Sequence, residues 1–401
     1  MKRVTGSTRL AKSINRALIL QSFHRHGTIS RTDLSADTGL TSGTISNITS
    51  DLLAEGLIKT SGTVDSTGGR PQILLEINAG ARLAIGTNIG STNVISVLTR
   101  LDGTVIRRKD YTMDPAWPLE KQVDQIIRSI EKVIPPEKNK RQRIIGVGLG
   151  VPGLIQSRAG LSVFSPNLKW RNVPIQSILE KRLGLSVTID NSVRVGALGE
   201  QWWGAGAQVS DLVALYVGTG VGAGLILDGR LYKGYNEASG EIGHVVVAPD
   251  GQLCSCGQRG CLEAMASGPA IARRALQQLK AGEPTVLRGF KETITGKTVY
   301  QAAKQGDQLS ITVLLEAARY IGIGISILIN LFNPEIVVVN GGVSNSWDIT
   351  SKTIINTARS LVFDGSNPSV RIVPSTLGKG VGPIGAATLI IKQFFAGPNV
   401  K

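Results

Sequence analysis

"DLVALYVGTGVGAGLILDGRL", residues 211–231, runs from an apolar stretch through a glycine-rich turn into a second apolar stretch. Short runs of Val, Leu, Ile and Tyr bounded by glycine read as buried strands. The same order occurs earlier, in "RLAIGTNIGSTNVISVLTRLDGTVI" at 82–106. Further strands that end in glycine turns follow in "RIIGVGLGVPGLI" (143–155) and "PEIVVVNGGV" (334–343), and "GPIGAATLI" (382–390) opens a last helix. Two β–Gly-turn–β halves among alternating strands and helices imply a duplicated α/β fold of two lobes with a cleft between them. A glycine turn after a buried strand can cradle phosphate, or it can merely reverse the strand; each reading stands for 217–224.

The region before Leu83 has a different pattern. "INRALILQSF" (14–23) places Ile14, Leu18 and Phe23 near one helical face, with Ala17 and Leu20 beside them. Ser30 is placed to cap a second short helix, with Asp33 as an imperfect capping box, and Gly39 supplies a tight turn. Thr41 or Ser42 then starts a third helix, "TSGTISNITSDLLAEG", with Ile45, Ile48, Leu52 and Leu53 inward and Gly56 as its stop. Helix, short helix, glycine turn and helix make a helix-turn-helix. Its outward residues Ser42, Thr44, Ser46 and Asn47 are short and polar, suited to bases and phosphates in a major groove; an ordinary three-helix bundle is the alternative. Two strand-like runs, Leu57–Thr60 and Gln72–Ile77, then flank a polar tip ending in Gly-Gly-Arg70-Pro, which reads as a wing. Held out by Gly and Pro, Arg70 is shaped to enter a narrow A/T-rich minor groove.

The bulk properties agree with a DNA partner without locating its site. The net charge is +15, yet residues 1–78 hold only 9 basic and 6 acidic side chains, so most of the excess lies elsewhere. A chain of 401 residues calls for two or three domains. "MKRVTGSTRLAKSINR" has no apolar core of an export signal, and the apolar stretch Tyr320–Phe332 is too short to span a bilayer and reads as a buried helix. Scarce, clustered cysteine without an export signal points to the reducing cytoplasm, with no membrane partner expected.

All three cysteines lie in "CSCGQRGC", 254–261. Three soft ligands this close, with Gly257 and Gly260 to curl the backbone, suit a metal, and His244 ten residues upstream supplies a fourth ligand. Cys254, Cys256, Cys261 and His244 would make a closed tetrahedral zinc site; three reduced thiols or one transient disulfide are the alternatives. Glu241 and Glu263 flank this set. With one imidazole nitrogen on zinc, the other faces away in a fixed tautomer, and with two carboxylates it suits sugar hydroxyls.

With these motifs assembled, the chain resembles the ROK family (repressors, open reading frames, kinases) in its longer regulator form, the branch of xylose and N-acetylglucosamine repressors. The resemblance rests on "GGRP" (68–71), "GVPG" (150–153), "SPNLKW" (165–170), "VGTGVGAG" (217–224), "GEIGH" (240–244), "CSCGQRGCLE" (254–263) and "NPEIVVVNGGV" (333–343). It implies an N-terminal winged helix-turn-helix (1–80) and a two-lobed actin/hexokinase-like, ribonuclease H-like duplicated ROK domain (81–401), with its zinc motif at 244–263. It also implies sugar contacts from Asn167, Asn191, Glu241, His244 and Glu263. The chain departs from the family's kinases at two places. Their D-x-G-G-T reads Asn88-Ile-Gly-Ser-Thr here, and their catalytic Asp falls at Ser192. A serine with no partner base cannot take a proton at neutral pH, so sugar phosphorylation is not expected. The space freed at Ser192 would suit a pentose, or a sugar phosphate contacted by Arg194. The function implied is a sugar-responsive regulator, released as a repressor from an inverted-repeat, A/T-rich operator that it binds as a homodimer or homotetramer. The alternatives are a bifunctional sugar kinase with a DNA-binding module, and a regulator that senses a transport-system protein.

Overall fold

The computed structural model describes residues 8–64, 71–290, 293–364 and 369–396. It divides into two compact units, Met1–Leu149 with Ile175–Ile189 and Ala386–Lys401, and Gly150–Pro174 with Asp190–Gly385. The expected boundary after residue 80 is therefore not where the compact units part.

The first unit opens with α1 (Thr8–His26), β1 (Thr28–Ser30), α2 (Arg31–Thr38) and α3 (Ser42–Ala54), then β2 (Ile58–Val64) and β3 (Gln72–Ile77). Ser30 caps α2 by accepting from the Asp33 amide at 3.1 Å, and Gly39 leaves it at φ 70°. Thr41 is the cap of α3, accepting from the Thr44 amide at 3.3 Å. Ala17, Ile19, Leu20 and Phe23 of α1 are buried with Leu34, Ile45, Ile48 and Leu52. Ile14 and Leu18, expected inward, are exposed. The buried stripe follows the three-residue step Ala17–Leu20–Phe23, with Ile19 on its flank, and the four-residue step from Ile14 to Leu18 leads off it. The strands lie in the order β1-β3-β2 with β2 and β3 antiparallel, a wing whose first strand runs on past the expected Thr60. Arg70 and the rest of the tip lie outside the described residues.

The chain continues through β4 (Leu83–Ile89), β5 (Asn93–Arg100), β6 (Val105–Thr112), α4 (Leu119–Glu131), α5 (Lys138–Arg141) and β7 (Ile144–Val151). A small three-stranded sheet follows, β8 (Leu154–Gln156), β9 (Leu161–Ser165) and β10 (Trp170–Val173), then α6 (Ile175–Leu183) and β11 (Val187–Asn191). The large sheet has the order β11-β7-β4-β5-β6.

The rest comprises α7 (Ser192–Trp203), β12 (Leu212–Val217), β13 (Val221–Leu227), β14 (Arg230–Tyr232), α8 (Leu262–Ala266), α9 (Gly268–Lys280), α10 (Gly296–Lys304), α11 (Gln308–Phe332), β15 (Ile336–Asn340), α12 (Trp347–Leu361), β16 (Arg371–Pro374) and α13 (Val381–Ala396). Its sheet has the order β14-β13-β12-β15-β16. Counted along the chain, both large sheets run third, second, first, fourth, fifth strand, so the duplication expected from the two glycine-turn halves is present in the topology. The apolar run Tyr320–Phe332 is the second half of the 25-residue α11, long and apolar enough by length and composition to cross a membrane. Its Val313, Leu314, Ala317, Ile321, Ile325 and Leu328 are buried in the core of the second unit, as a buried helix requires.

Candidate functional site

In the first unit, α3 presents Ser42, Ser46 and Asn47 to solvent; Thr44 is half-buried, its hydroxyl 3.0 Å from that of Thr41. Ion pairs that sequence reading missed hold this helix from behind. Arg16 grips Glu55 with two bonds of 2.6 Å, and Lys12 meets Asp51 at 2.7 Å. Arg31 Nε donates to Thr49 Oγ1 at 2.8 Å. The Arg16 hydrogen bonds keep the Glu55 carboxyl below its ordinary range against the opposing effect of burial. Both acidic groups at the back of α3 are thereby neutralised, which favours approach of a polyanion to its front. Several N-terminal basic residues thus serve α3 rather than a ligand directly.

In the second unit, the cysteine loop folds back on itself. The Cys254 amide donates to the Gln258 carbonyl at 2.7 Å, and the Gly260 amide to that of Gln252 at 2.9 Å. Gly260 has φ 71°, and a Cβ there would stand 1.5 Å from the Ala248 carbonyl oxygen, so glycine is required on both counts. The loop brings His244 and all three cysteines together, with ligand atoms within 4.8 Å of one another. Cys254 Sγ lies 3.7 Å from His244 Nδ1, and Cys256 Sγ 3.6 Å from Cys261 Sγ. Burial and the neighbouring thiols push the Cys261 thiol up to about 12, whereas the Gln258 backbone bond and the other ligands pull Cys256 down to about 7. These four residues could hold a tetrahedral metal ion.

The glycine-rich strand quoted first is the platform beside that cluster. Gly222 and Gly224 share one face of β13, and Gly220 immediately precedes the strand. A side chain at any of the three would crowd the parts packed on that face. A Cβ on Gly220 would lie 2.8 Å from Glu263 Oε2, one on Gly222 3.3 Å from Val193, and one on Gly224 2.5 Å from Ala197 Cβ. The Glu263 carboxylate accepts from the Val221 amide at 3.0 Å. Ala223 N donates to Gly240 O at 2.8 Å, and Gly243 sits close enough that a Cβ would be 2.2 Å from Val221 O. One strand thereby gathers the start of α7, the turn carrying Glu241 and His244, and the start of α8 with Glu263. Burial raises the Glu241 carboxyl above its ordinary range; His244 and Arg194 oppose this and the charge of Glu263 adds to it.

The remaining expected residues fall out differently. Asn167 is exposed, in a short turn before β10. Asn191 caps α7, accepting from the Val193 and Arg194 amides, and its Nδ2 donates to Gly153 O at 2.8 Å. Ser192 is the first, half-buried residue of α7, and Asn88 is the penultimate residue of β4, with its Oδ1 buried and lacking a hydrogen-bond partner. Arg194, expected as an anion contact, is 3% exposed. Its guanidinium pairs with Asp190 at 2.5 Å and donates to the carbonyls of Ile155 and Glu237, so it is not free to meet an effector phosphate. The i,i+4 spacing of Asp190 and Arg194 across the start of a helix was the signal available for that pair.

Comparison with known proteins agrees with this architecture. The profile of the ROK family matches residues 84–393, and that of a winged helix-turn-helix DNA-binding domain matches 13–59. A xylose repressor of Caldicellulosiruptor bescii is 33% identical over 396 residues, 98% of this chain and 99% of that protein. The N-acetylglucosamine repressor of Escherichia coli O157:H7 is 31% identical over 369 residues, 91% of this chain and 90% of that one. Among solved structures, a ROK family transcriptional regulator superposes with TM-score 0.83 at 29% identity, covering 96% of this chain and 97% of the other. A ROK family glucokinase from Streptomyces griseus, solved with glucose and AMPPNP, gives 0.70 at 32% identity, covering 77% of this chain and 98% of its own. The chain belongs to the ROK family and carries a winged helix-turn-helix ahead of its ROK domain.

Proposed function

We propose that this protein is a sugar-responsive transcriptional regulator, a repressor that leaves its operator when a sugar occupies the pocket around Glu241, His244 and Glu263. One combination carries the reading: a polar recognition helix is joined to a sensing set that keeps both glutamates and the histidine, in a chain with Asn88 and Ser192 where kinases place carboxylates. Ser42, Ser46, Asn47 and Arg70 contact DNA, with Thr44 supporting the start of α3. Two copies read an inverted repeat, in the cytoplasm where that DNA lies. The ion is zinc. Bonds of about 2.3 Å at the tetrahedral angle separate two sulfurs by about 3.8 Å, close to the 3.6 Å between Cys256 and Cys261. With four protein ligands and no open position, the zinc would serve structure: His244, whose Nδ1 faces Cys254, would bind it through Nδ1 and keep Nε2 for a sugar hydroxyl.

The test is fluorescence anisotropy of a labelled operator fragment, drawn from DNA upstream of the protein's own gene, titrated with protein and then with sugars. At least one sugar is expected to release the DNA. If none does while purified transport-system proteins do, the protein-sensing reading replaces this one. The kinase reading is decided by coupled ADP release across the same sugars. Turnover that disappears on Glu241→Gln would establish an enzyme; none is expected.

A further inference from the structure

Five side chains from three separate segments of the second unit close into a ring. Asp190, before the α7 cap, pairs with Arg194 at 2.5 Å and with Lys233 at 2.7 Å. Lys233 also donates to Ser157 Oγ at 2.6 Å. Ser157 gives its amide (2.8 Å) and its hydroxyl (2.5 Å) to Glu237, whose backbone carbonyl accepts from Arg194. The side chains of Arg194, Asp190 and Glu237 are 3%, 1% and 13% exposed, and Lys233 is 33% exposed. Two cations and two anions balance, as buried charge must. Glu237 holds φ 61°, a left-handed conformation that is strained for a non-glycine residue and persists only where neighbours enforce it.

Each segment of the ring adjoins a residue of the sugar pocket. Asp190 precedes Asn191, Glu237 stands four residues before Glu241, and Ser157 lies between β8 and β9, the hairpin that leads to Asn167. Arg194 and Glu263 both act electrostatically on Glu241. Inside the ring every charge has its opposite; outside it stand Glu241 and Glu263.

We propose that this ring determines which effectors the pocket accepts: it fixes Asn191 and Glu241 in place and withholds both cations from the ligand, so that the pocket takes an uncharged sugar and turns away sugar phosphates. The inference rests on the sugar-effector reading above. Its residues act through others, so Lys233 and Glu237 are positioning residues. A ligand phosphate would have to break an existing ion pair or face two carboxylates, and like charge without a counter-ion is costly in a desolvated site.

The test uses the full-length protein and calorimetry with D-xylose, D-glucose and N-acetylglucosamine, alongside glucose 6-phosphate and N-acetylglucosamine 6-phosphate. A neutral sugar is expected to bind, and phosphorylated sugars at least about tenfold more weakly, equivalent to ~1.4 kcal/mol. The double variant Lys233→Met with Glu237→Gln removes one charge of each sign and keeps the Asp190–Arg194 pair. Its melting temperature should stay near that of the parent while sugar affinity drops about tenfold or more. Lys233→Arg should keep the affinity, and Asp190→Asn, which frees cations, should narrow the discrimination against phosphate. A phosphate that binds the parent as tightly as its parent sugar overturns the charge selectivity. A well-folded double variant that binds sugar like the parent overturns the positioning role. A parent that binds none of the five compounds sinks the sugar reading itself, and this inference with it.

Discussion

His24 shows how much one residue's surroundings decide. It lies in the last turn of α1, its ring 6.2 Å from that of Phe395 on α13. Burial, helped by the charge of Lys392, lowers its imidazole from 6.5 to about 4. Between those values the unfolded chain binds the proton that the folded chain refuses, so stability is complete above about pH 6.5 and declines as pH falls toward 4. The shift would be worth ~3 kcal/mol at full effect and roughly 1–2 after solvent screening. His24→Phe should therefore flatten melting temperature against pH between about 7.5 and 5; parallel curves for parent and variant would exclude this account. Cys256→Ser makes a second prediction at this scale: metal analysis should find well under one zinc per chain, with a lower melting temperature and no effector response. The cysteine cluster was legible in the sequence because its ligands are close together and chemically distinctive. The burial of Arg194 was not, because it depends on carbonyls of Ile155 and Glu237 that lie 39 and 43 residues away along the chain.

Among the elements, the close contact of α7 with β13 sets the position of residues proposed to meet the sugar. Gly224→Ala would drive a methyl to 2.5 Å from Ala197 Cβ and 2.9 Å from the Val193 carbonyl, forcing the helix off the strand. Overpacking of this kind costs about 1–3 kcal/mol. Because α7 carries Arg194 and is capped by Asn191, sugar affinity should fall together with stability, measured by calorimetry and thermal unfolding. Gly184→Ala is the control: its Cβ meets nothing within 4 Å, so only the backbone at φ 63° resists, at roughly 1 kcal/mol, and sugar binding should be untouched. The sequence left two uses open for these glycines, phosphate cradle or strand reversal. The structure adds a third, close packing on one face, which periodicity alone does not reveal because the partners lie on α7, α8 and the turn at Gly240. The two β–Gly-turn–β halves were readable from the repeated motif, and the two large sheets share one strand order that the motif alone does not give. The face of α1 was misjudged because Ile14 and Leu18 are apolar yet project away from α2 and α3, and only the packing partner defines the inward side.

At the scale of the whole molecule, the connection between winged helix and ROK domain is pinned at both ends. Asn78 gives its amide to Leu57 O and its side chain to Gly56 O, both at 2.9 Å, on the winged-helix side. Ala79 O accepts from the Leu101 amide at 3.0 Å, and Gly80 O accepts from Arg143, on the side of the first large sheet. This explains why the winged helix clusters with that sheet rather than standing apart. α13 ties it a second time, through Phe395 against His24. Two strands of the same sheet, β7 and β11, run directly into the segments that carry Gly153 and Asn191, so the chain itself connects this sheet to residues proposed to meet the sugar. Coupling between two sites is a free energy, and a flexible joint lets each site keep its affinity while the coupling is lost. Inserting Gly-Ser-Gly after Gly80 together with Phe395→Ala should thus leave sugar affinity within about twofold of the parent and preserve operator binding without sugar. The ratio of operator affinities without and with saturating sugar should collapse toward one, where a working switch needs about 5.5 kcal/mol to go from 1:99 to 99:1. Anisotropy gives that ratio and calorimetry the sugar affinity. Retention of the parental ratio in a variant that still binds both ligands would show that the signal passes through neither contact, and would move attention to the pairing of two chains on the operator.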